Sequence, residues 1–289
     1  MNVKPIVAAT DGSEESLRAV EWAAGEAILH AAPLRIVSAA PLPPRMVALQ
    51  LRPDRDHVAD FIRSERDTAL HAAASRAARV APGLVIVTDP VHGPPAQAVA
   101  ESGTGASMLV VGSRGAGAFT ALTLGSVSRY AAVHAACPVV VIRDLIPVAS
   151  GFVGVGVGDL EDCTGPLTFA FEEASLRKAE VLAVHAWAAP ESATAEAGAR
   201  LAELMGSWAD KYPGVPVSQE VVPGYPARVL VGLSARADLV VMGRHSEHPG
   251  PYGPGPVRHA VLSHAHGPIA VVPSGDEGSD ERSEGQCPM

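Results

Sequence analysis

Short apolar runs alternate with longer amphipathic stretches along the first half of the chain. The runs stand at residues 5–10 (PIVAAT), 34–39 (LRIVSA), 84–91 (LVIVTDPV), 107–112 (SMLVVG) and 138–143 (PVVVIR). They are rich in Val and Ile and continuous rather than alternating, the pattern of strands covered on both faces by helices. Between the first two runs, Leu17, Val20, Ala24, Ala27 and Ile28 recur at helical spacing. Ser13 precedes them as a cap, and Glu14 and Glu15 match the dipole of a helix N-terminus. A second helix is expected from about Asp67 to Ala81, with Leu70, Ala74, Ala77 and Val80 turned inward. Strands alternating with helices in this way predict a five-stranded, doubly wound α/β domain with a parallel sheet.

The unit occurs twice. AAVHAACPVVVI (131–142) returns as AVLSHAHGPIAVVP (260–273), SMLVVG as DLVVMG (238–243), and GPPAQAV (93–99) as GYPARVL (224–230). SLRAVEWAAGEA (16–27) matches CTGPLTFAFEEA (163–174) at a larger offset. The first copy therefore holds extra residues within about 40–66, where prolines and mixed charge indicate a mobile excursion. Two copies of this length mean duplicated domains rather than a solenoid. The expected organisation is domain 1 over 1–144, a linker over 145–151, domain 2 over 152–274 and a disordered acidic tail over 275–289.

Composition narrows the partners. Hydrophobic residues make up 47% and charged residues 18% of the 289 residues, enough for two cores, and aromatics only 4%. The formal net charge of −9, with no Lys/Arg-rich run, argues against nucleic acid or an anionic membrane as the main partner. No stretch has the length and apolarity of a membrane span or signal peptide. Cys137, Cys163 and Cys287 are odd in number and widely spaced, which reads as reduced thiols in a cytoplasmic protein. Trp22, Trp187 and Trp208 lie on apolar faces and are expected in the core.

Chemistry concentrates after the fourth run, where residues 112–126 read GSRGAGAFTALTLGS. In open α/β sheets ligands sit beyond the carboxyl ends of the strands, against helix N-termini. Gly112 leaves the strand, Gly115 permits a close turn, and Gly125-Ser126 opens the next helix. Ser126 either caps that helix or offers its hydroxyl and neighbouring N–H groups to phosphate oxygens. Asp11, in D-G-S (11–13), reaches the same rim. It suits a ribose, a Mg²⁺ on phosphates, or simply a turn. A P-loop, a dinucleotide fingerprint after strand one and a G-x-S-x-G elbow are all absent from the sequence.

The arrangement G-x2-G-x9-G-[ST] formed by Gly112, Gly115, Gly125 and Ser126 resembles the nucleotide-binding signature of the universal stress protein family. The resemblance extends, twice, over nearly the whole chain and points to the tandem-domain, ATP-binding subtype with a Rossmann-like fold. It implies ATP, with Mg²⁺, held by domain 1. Asp11 and Val37 would lie at ribose and adenine, Ala9 and Val111 would line the base pocket, and Gly112, Arg114, Gly115, Gly125, Ser126 and Val127 would hold phosphates and ribose. The apolar segment from Ala118 to Leu124 would be a lid. The family's last strands pair across dimers, which implies self-association here, between the two halves or as a homodimer.

The second copy departs from this signature. Gly158 stands where the first has Asp11, Ser246 replaces Gly115, the spacer to Gly255 is one residue shorter, and Pro256 replaces Ser126. Proline removes both the hydroxyl and an N–H, so domain 2 is expected to bind ATP weakly or not at all. His245, His248, His259, His264 and His266 crowd this region, but without a carboxylate or cysteine partner set they are expected to be surface residues rather than metal ligands. Three function classes follow: an ATP-binding stress or signalling regulator, favoured; a slow ATP hydrolase or phosphotransferase, for which only Asp11 and Arg114 are at hand; and a non-nucleotide interaction scaffold.

Overall fold

The computed structural model describes residues 3–39, 55–115, 124–143, 150–158, 163–187, 194–244 and 255–274. The first half runs β1 (Ile6–Ala9), α1 (Glu14–Leu29), β2 (Leu34–Ala39), α2 (Arg55–Val80), β3 (Ile86–Val91), α3 (Pro95–Glu101), β4 (Met108–Gly112), α4 (Ser126–His134) and β5 (Val139–Ile142). The second runs β6 (Phe152–Gly156), α5 (Thr164–Arg177), β7 (Glu180–Trp187), α6 (Thr194–Lys211), β8 (Val217–Pro223), α7 (Pro226–Ser234), β9 (Leu239–Gly243), α8 (Pro256–His264) and β10 (Ile269–Val272).

The ten strands of the described residues form one sheet in the order β3-β2-β1-β4-β5-β10-β9-β6-β7-β8. Pairing within each half is parallel, and the halves meet through an antiparallel pair in which Ile269 faces Val141, Ala270 faces Val140 and Val271 faces Val139. The last strands of the two copies are therefore the centre of the sheet, each satisfying the backbone groups the other would leave bare. Two arginines cross this seam. Arg143 Nη1 donates to the Leu262 carbonyl at 2.9 Å, and Arg244 donates to the Ala135 carbonyl.

Helices cover both faces. One core collects Leu17, Val20 and Ala24 of α1, Leu70 and Ala77 of α2, and their counterparts Leu167, Phe171, Leu201 and Trp208. The other collects Val99, Ala131 and Ala132 with Leu230, Leu233 and Val261. Most strand residues of β1, β4, β5 and β10 are fully buried, the reason those runs carry no polar alternation. The edge strand β3 behaves differently: Val87 is half exposed, because no further strand among the described residues pairs beyond it.

Several expectations from the pattern need correction. Ile28 lies outside the buried stripe of α1 and is 55% exposed. On α2 Leu70, Ala73 and Ala77 are buried and Ala74 packs partly buried against the same core; Val80 is exposed, and Ala81, just past the helix, is buried. The helix also begins at Arg55, well before Asp67. The prolines at 41, 43, 44 and 53 all precede it, so nothing in 55–66 breaks helical hydrogen bonding. The remainder of the expected excursion, 40–54, and the tail 275–289 lie outside the described residues, as does most of the linker. Trp208 is buried against Phe171, ring centroids 5.4 Å apart, and Trp22 packs partly buried on the same core. Trp187 ends β7, and its side chain is outside the described residues.

Candidate functional site

At the exit of β1 the chain turns through a small polar web. Thr10 and Ser16 are both buried, with their hydroxyls 3.0 Å apart. The amides of Asp11 and Gly12 donate to the Ser16 and Thr10 hydroxyls respectively. Gly12 sits at φ +83°, in the left-handed region that a side chain would resist. Asp11 Oδ1 accepts from the Ser13 amide at 3.0 Å and from its hydroxyl at 2.5 Å, and the Ser13 hydroxyl in turn caps α1 through the Ser16 amide. The turn-forming reading of Asp11 is thus realised through one carboxylate oxygen. Thr10 and Ser16, which organise this turn, carry no sequence signal beyond their small polar type.

The exit of β4 is packed against the same turn. A Cβ on Gly112 would stand 3.0 Å from the Glu15 carbonyl group, backbone of α1 that has no room to retreat. A Cβ on Gly115 would stand 2.3 Å from Asp11 Oδ2. The two glycines separate in the sequence from Asp11 by a hundred residues are therefore its neighbours in space. The ends of the intervening loop are tied together. The Ser113 amide donates to the Ile142 carbonyl, and the Ser113 carbonyl accepts the Gly125 amide, both at 2.8 Å. Ser128 Oγ, buried in the first turn of α4, donates to the Gly112 carbonyl at 2.6 Å. The Ser113 hydroxyl is fully buried without a hydrogen-bond partner among the described residues.

Gly125, not Ser126, is the N-cap of α4; Ser126 is the first helical residue and is exposed. Capping by Ser126 is therefore excluded, because a residue already in helical conformation is past the capping position. Helix geometry leaves the first N–H groups of α4 without intrahelical partners, facing the rim. Arg114 is drawn toward Glu15, 3.6 Å away, at the start of α1. Nearby, the Arg76 hydrogen bond to Glu14 holds that exposed carboxyl below its usual range.

Ala9, Val37 and Val111 are buried strand-end residues of one apolar cluster, on which Leu124 and Val127 also pack. The structure therefore gathers all ten expected positions, Ala9, Asp11, Val37, Val111, Gly112, Arg114, Gly115, Gly125, Ser126 and Val127, around the carboxyl ends of β1, β2 and β4. The middle of the loop, 116–123, lies outside the described residues, and with it most of the expected lid.

The second half builds the same rim with different contents. Strand register places Gly156 and Val184 where β1 and β2 have Ala9 and Val37. Leu230 fills the space over Gly156: a Cβ there would stand 2.9 Å from its methyl carbon. Val157 takes the place of Thr10 and Cys163 that of Ser16, so the hydroxyl web is absent. At α8, Pro256 is the first helical residue and Gly255, at φ +89°, its cap. Arg258, the counterpart of Ser128, reaches back to the Arg244 carbonyl and lies against Gly255; burial lowers its guanidinium's proton affinity. The loop 245–254, with His245, His248 and Ser246, lies outside the described residues. A separate groove of about 450 Å³ runs between β8 and α7, walled by Val184, Val222, Tyr225, Val229, Arg228 and Arg236.

Comparison with known proteins agrees with this geometry. The family model described as "Universal stress protein family" matches twice, over residues 2–143 and 153–273. The universal stress protein Rv2005c of Mycobacterium tuberculosis is 35% identical over 298 residues, covering 92% of this chain and 96% of its own. Rv2623 of the same organism is 32% identical, covering 82% and 85%. A universal stress protein structure from Archaeoglobus fulgidus superposes with TM-score 0.72 at 20% identity, covering 95% of this chain and 98% of its own. With both copies matched and the duplicated Rossmann-like sheet in place, the chain belongs to the universal stress protein family as a tandem two-domain member.

Proposed function

We infer that the first half binds ATP at the rim between the β1 and β4 exits and acts as a nucleotide-dependent regulator of stress or signalling. The observation that carries the reading is the gap at Gly115. A Cβ on Gly115 would stand 2.3 Å from Asp11 Oδ2, so any side chain would fill the space beside that carboxylate, and helix geometry leaves the first N–H groups of α4, which opens just after Gly125, without intrahelical partners. Gly112, Arg114, Gly115, Gly125, Ser126 and Val127 would hold the phosphates and the adjoining ribose, Asp11 the ribose or a Mg²⁺, and Ala9, Val37 and Val111 the base. Bound nucleotide would supply the triphosphate charge that these donors neutralise.

Among the described residues of the second half, Leu230 over Gly156, Pro256 at the helix start and Arg258 against the cap take up the space and the donors the first half leaves open, so this half would bind ATP weakly or not at all. It serves as the structural partner of domain 1. The domain limits of the proposal are 1–144 and 152–274, in a cytoplasmic protein whose tandem chains associate further as a homodimer. No helix among the described residues is long and apolar enough to cross a membrane.

The test is to denature the purified protein and identify any released nucleotide, then to titrate ATP and Mg²⁺ by thermal shift. Stoichiometric ATP, or a shift lost in Gly115→Glu, supports the reading. No released nucleotide together with no shift overturns it in favour of an interaction scaffold.

A further inference from the structure

The two halves touch at a second place besides the strand seam. The C-terminal turns of α1 and α5 bring Glu26 and His30 from the first copy against Glu173 and Arg177 from the second. These residues are equivalent in the duplication: Glu26 and Glu173 share the offset of 147 that also relates His30 to Arg177. Each copy thus offers a glutamate and, four residues on, a base, and each base pairs with both glutamates. The quartet is symmetric in position and asymmetric in chemistry, since one base is an arginine and the other a histidine.

Arg177 takes one oxygen from each carboxylate: Nη2 lies 2.5 Å from Glu26 Oε1, and Nη1 donates to Glu173 Oε2. The remaining oxygens face His30 Nε2, Glu173 Oε1 at 3.0 Å and Glu26 Oε2 at 3.9 Å. Glu26 Oε2 is buried without a hydrogen-bond partner among the described residues. Glu26 and Glu173 are 6% and 1% exposed at the side chain, and Arg177 11%. Two carboxylates and one guanidinium leave one negative charge uncompensated in a nearly dry contact, a costly arrangement unless a further positive charge enters.

We propose that the contact between α1 and α5 is a proton-operated clamp, in which a single proton shared by His30 and Glu26 completes the quartet and holds the two halves together. A divalent cation has the same three donor atoms within 4.8 Å. It would have to sit beside the Arg177 guanidinium, which already supplies a charge to both carboxylates; a proton needs no such room. Other charged groups on these helices lie elsewhere: Glu14, Glu15, Arg18 and Glu21 of α1 gather near Arg76 and Arg114, and Glu172 of α5 faces outward.

The titration directions agree. Burial first, then the neighbouring Glu173 charge, pushes the Glu26 carboxyl up from 4.5 to about 7 against the pull of Arg177. Burial works against charge on His30, but the Glu173 hydrogen bond and the charges of both glutamates outweigh it and raise its proton affinity. Glu173 moves the other way, held down by His30 and Arg177 despite its burial. Groups whose proton affinity rises on folding stabilise the fold below their unfolded values, and that stability is lost as pH rises through the folded ones. Below pH 6.5 the unfolded chain already carries the shared proton on His30, so the loss begins as pH rises past that value; the Glu173 contribution is lost only on acidification below 4.5.

The experiment measures urea unfolding of the full chain from pH 5 to 8 beside Glu26→Gln and His30→Arg, with the His30 ring followed by NMR. One extra proton in the folded state means a folding constant that falls about tenfold per pH unit as pH rises past 6.5. Both variants keep the size of the contact and remove the shared proton, so each should flatten that dependence, and His30→Arg should be the more stable protein at pH 8. A wild-type slope unchanged in both variants overturns the proposal, as does a His30 ring that titrates below the ordinary histidine range. Stoichiometric Zn²⁺ uptake by the chelator-treated protein, abolished in His30→Arg, overturns it in favour of a metal site.

Discussion

Two glycines three residues apart should respond oppositely to the same added methyl group. At Gly112 the new Cβ meets the Glu15 carbonyl carbon and oxygen at 3.0 Å and the Ser16 amide at 3.1 Å. These are backbone atoms of α1, whose neighbouring Leu17, Ala19 and Val20 are buried, so the helix has to move as a body. Overpacking of this kind costs about 1–3 kcal/mol. At Gly115 the Cβ meets Asp11 Oδ2 at 2.3 Å, the end of an exposed side chain that can swing away. The swing sacrifices the hydrogen bonds from the Ser13 amide and hydroxyl to Oδ1, a surface loss of about 1 kcal/mol. Neither position has positive φ, so alanine adds no backbone strain at either. Urea unfolding should therefore rank Gly112→Ala as the more destabilised, with Gly115→Ala close to wild type. Nucleotide retention, read by chromatography of the denatured protein, should show a large loss in Gly115→Ala. A Gly115→Ala protein that keeps its ATP while remaining folded would falsify the placement of the phosphates beside Asp11.

Ser128→Ala removes the 2.6 Å hydrogen bond to the Gly112 carbonyl and leaves that buried acceptor unpaired, so it should lose about 1–3 kcal/mol in the same urea assay. Phe171→Ala empties a fully buried position against Trp208 and Tyr212 and should cost about 3–5 kcal/mol, with a change in Trp208 fluorescence. An unaltered emission spectrum and midpoint would contradict the stack. Burial pushes the Cys137 thiol up to about 11, so it should resist iodoacetamide at pH 8 in the folded protein and react only on unfolding; peptide mass mapping reads this directly.

The hydrophobic pattern was enough to place the five strands of the first half and to reveal the duplication, because buried parallel strands must be continuously apolar and the repeat preserves them. It was also enough to find the rim, since a glycine where backbone segments meet leaves a mark in the sequence as an interrupted apolar run. What the pattern misjudged were boundaries of stripes. Ile28 and Val80 fit the helical period but fall just beyond the faces that the sheet covers, and periodicity cannot tell where a covering surface ends. Ser126 fits the capping residue types, yet the turn begins one residue earlier, at Gly125.

Other features existed only once the chain was folded. Thr10, Ser16 and Ser128 are ordinary small polar residues until the exits of β1 and β4 bring them together. Arg258 reads as a surface charge until it turns back on Gly255. The β5–β10 pairing sets the last strands of both halves at the centre of the sheet. That same docking set α1 beside α5 and closed Glu26, His30, Glu173 and Arg177 into one cluster. Local propensity and apolar spacing act within a few turns of the chain, so the sequence by itself determined the elements and their repeat. Which distant side chains share a buried, low-dielectric space depends on how the two halves dock, and that only the tertiary structure decided.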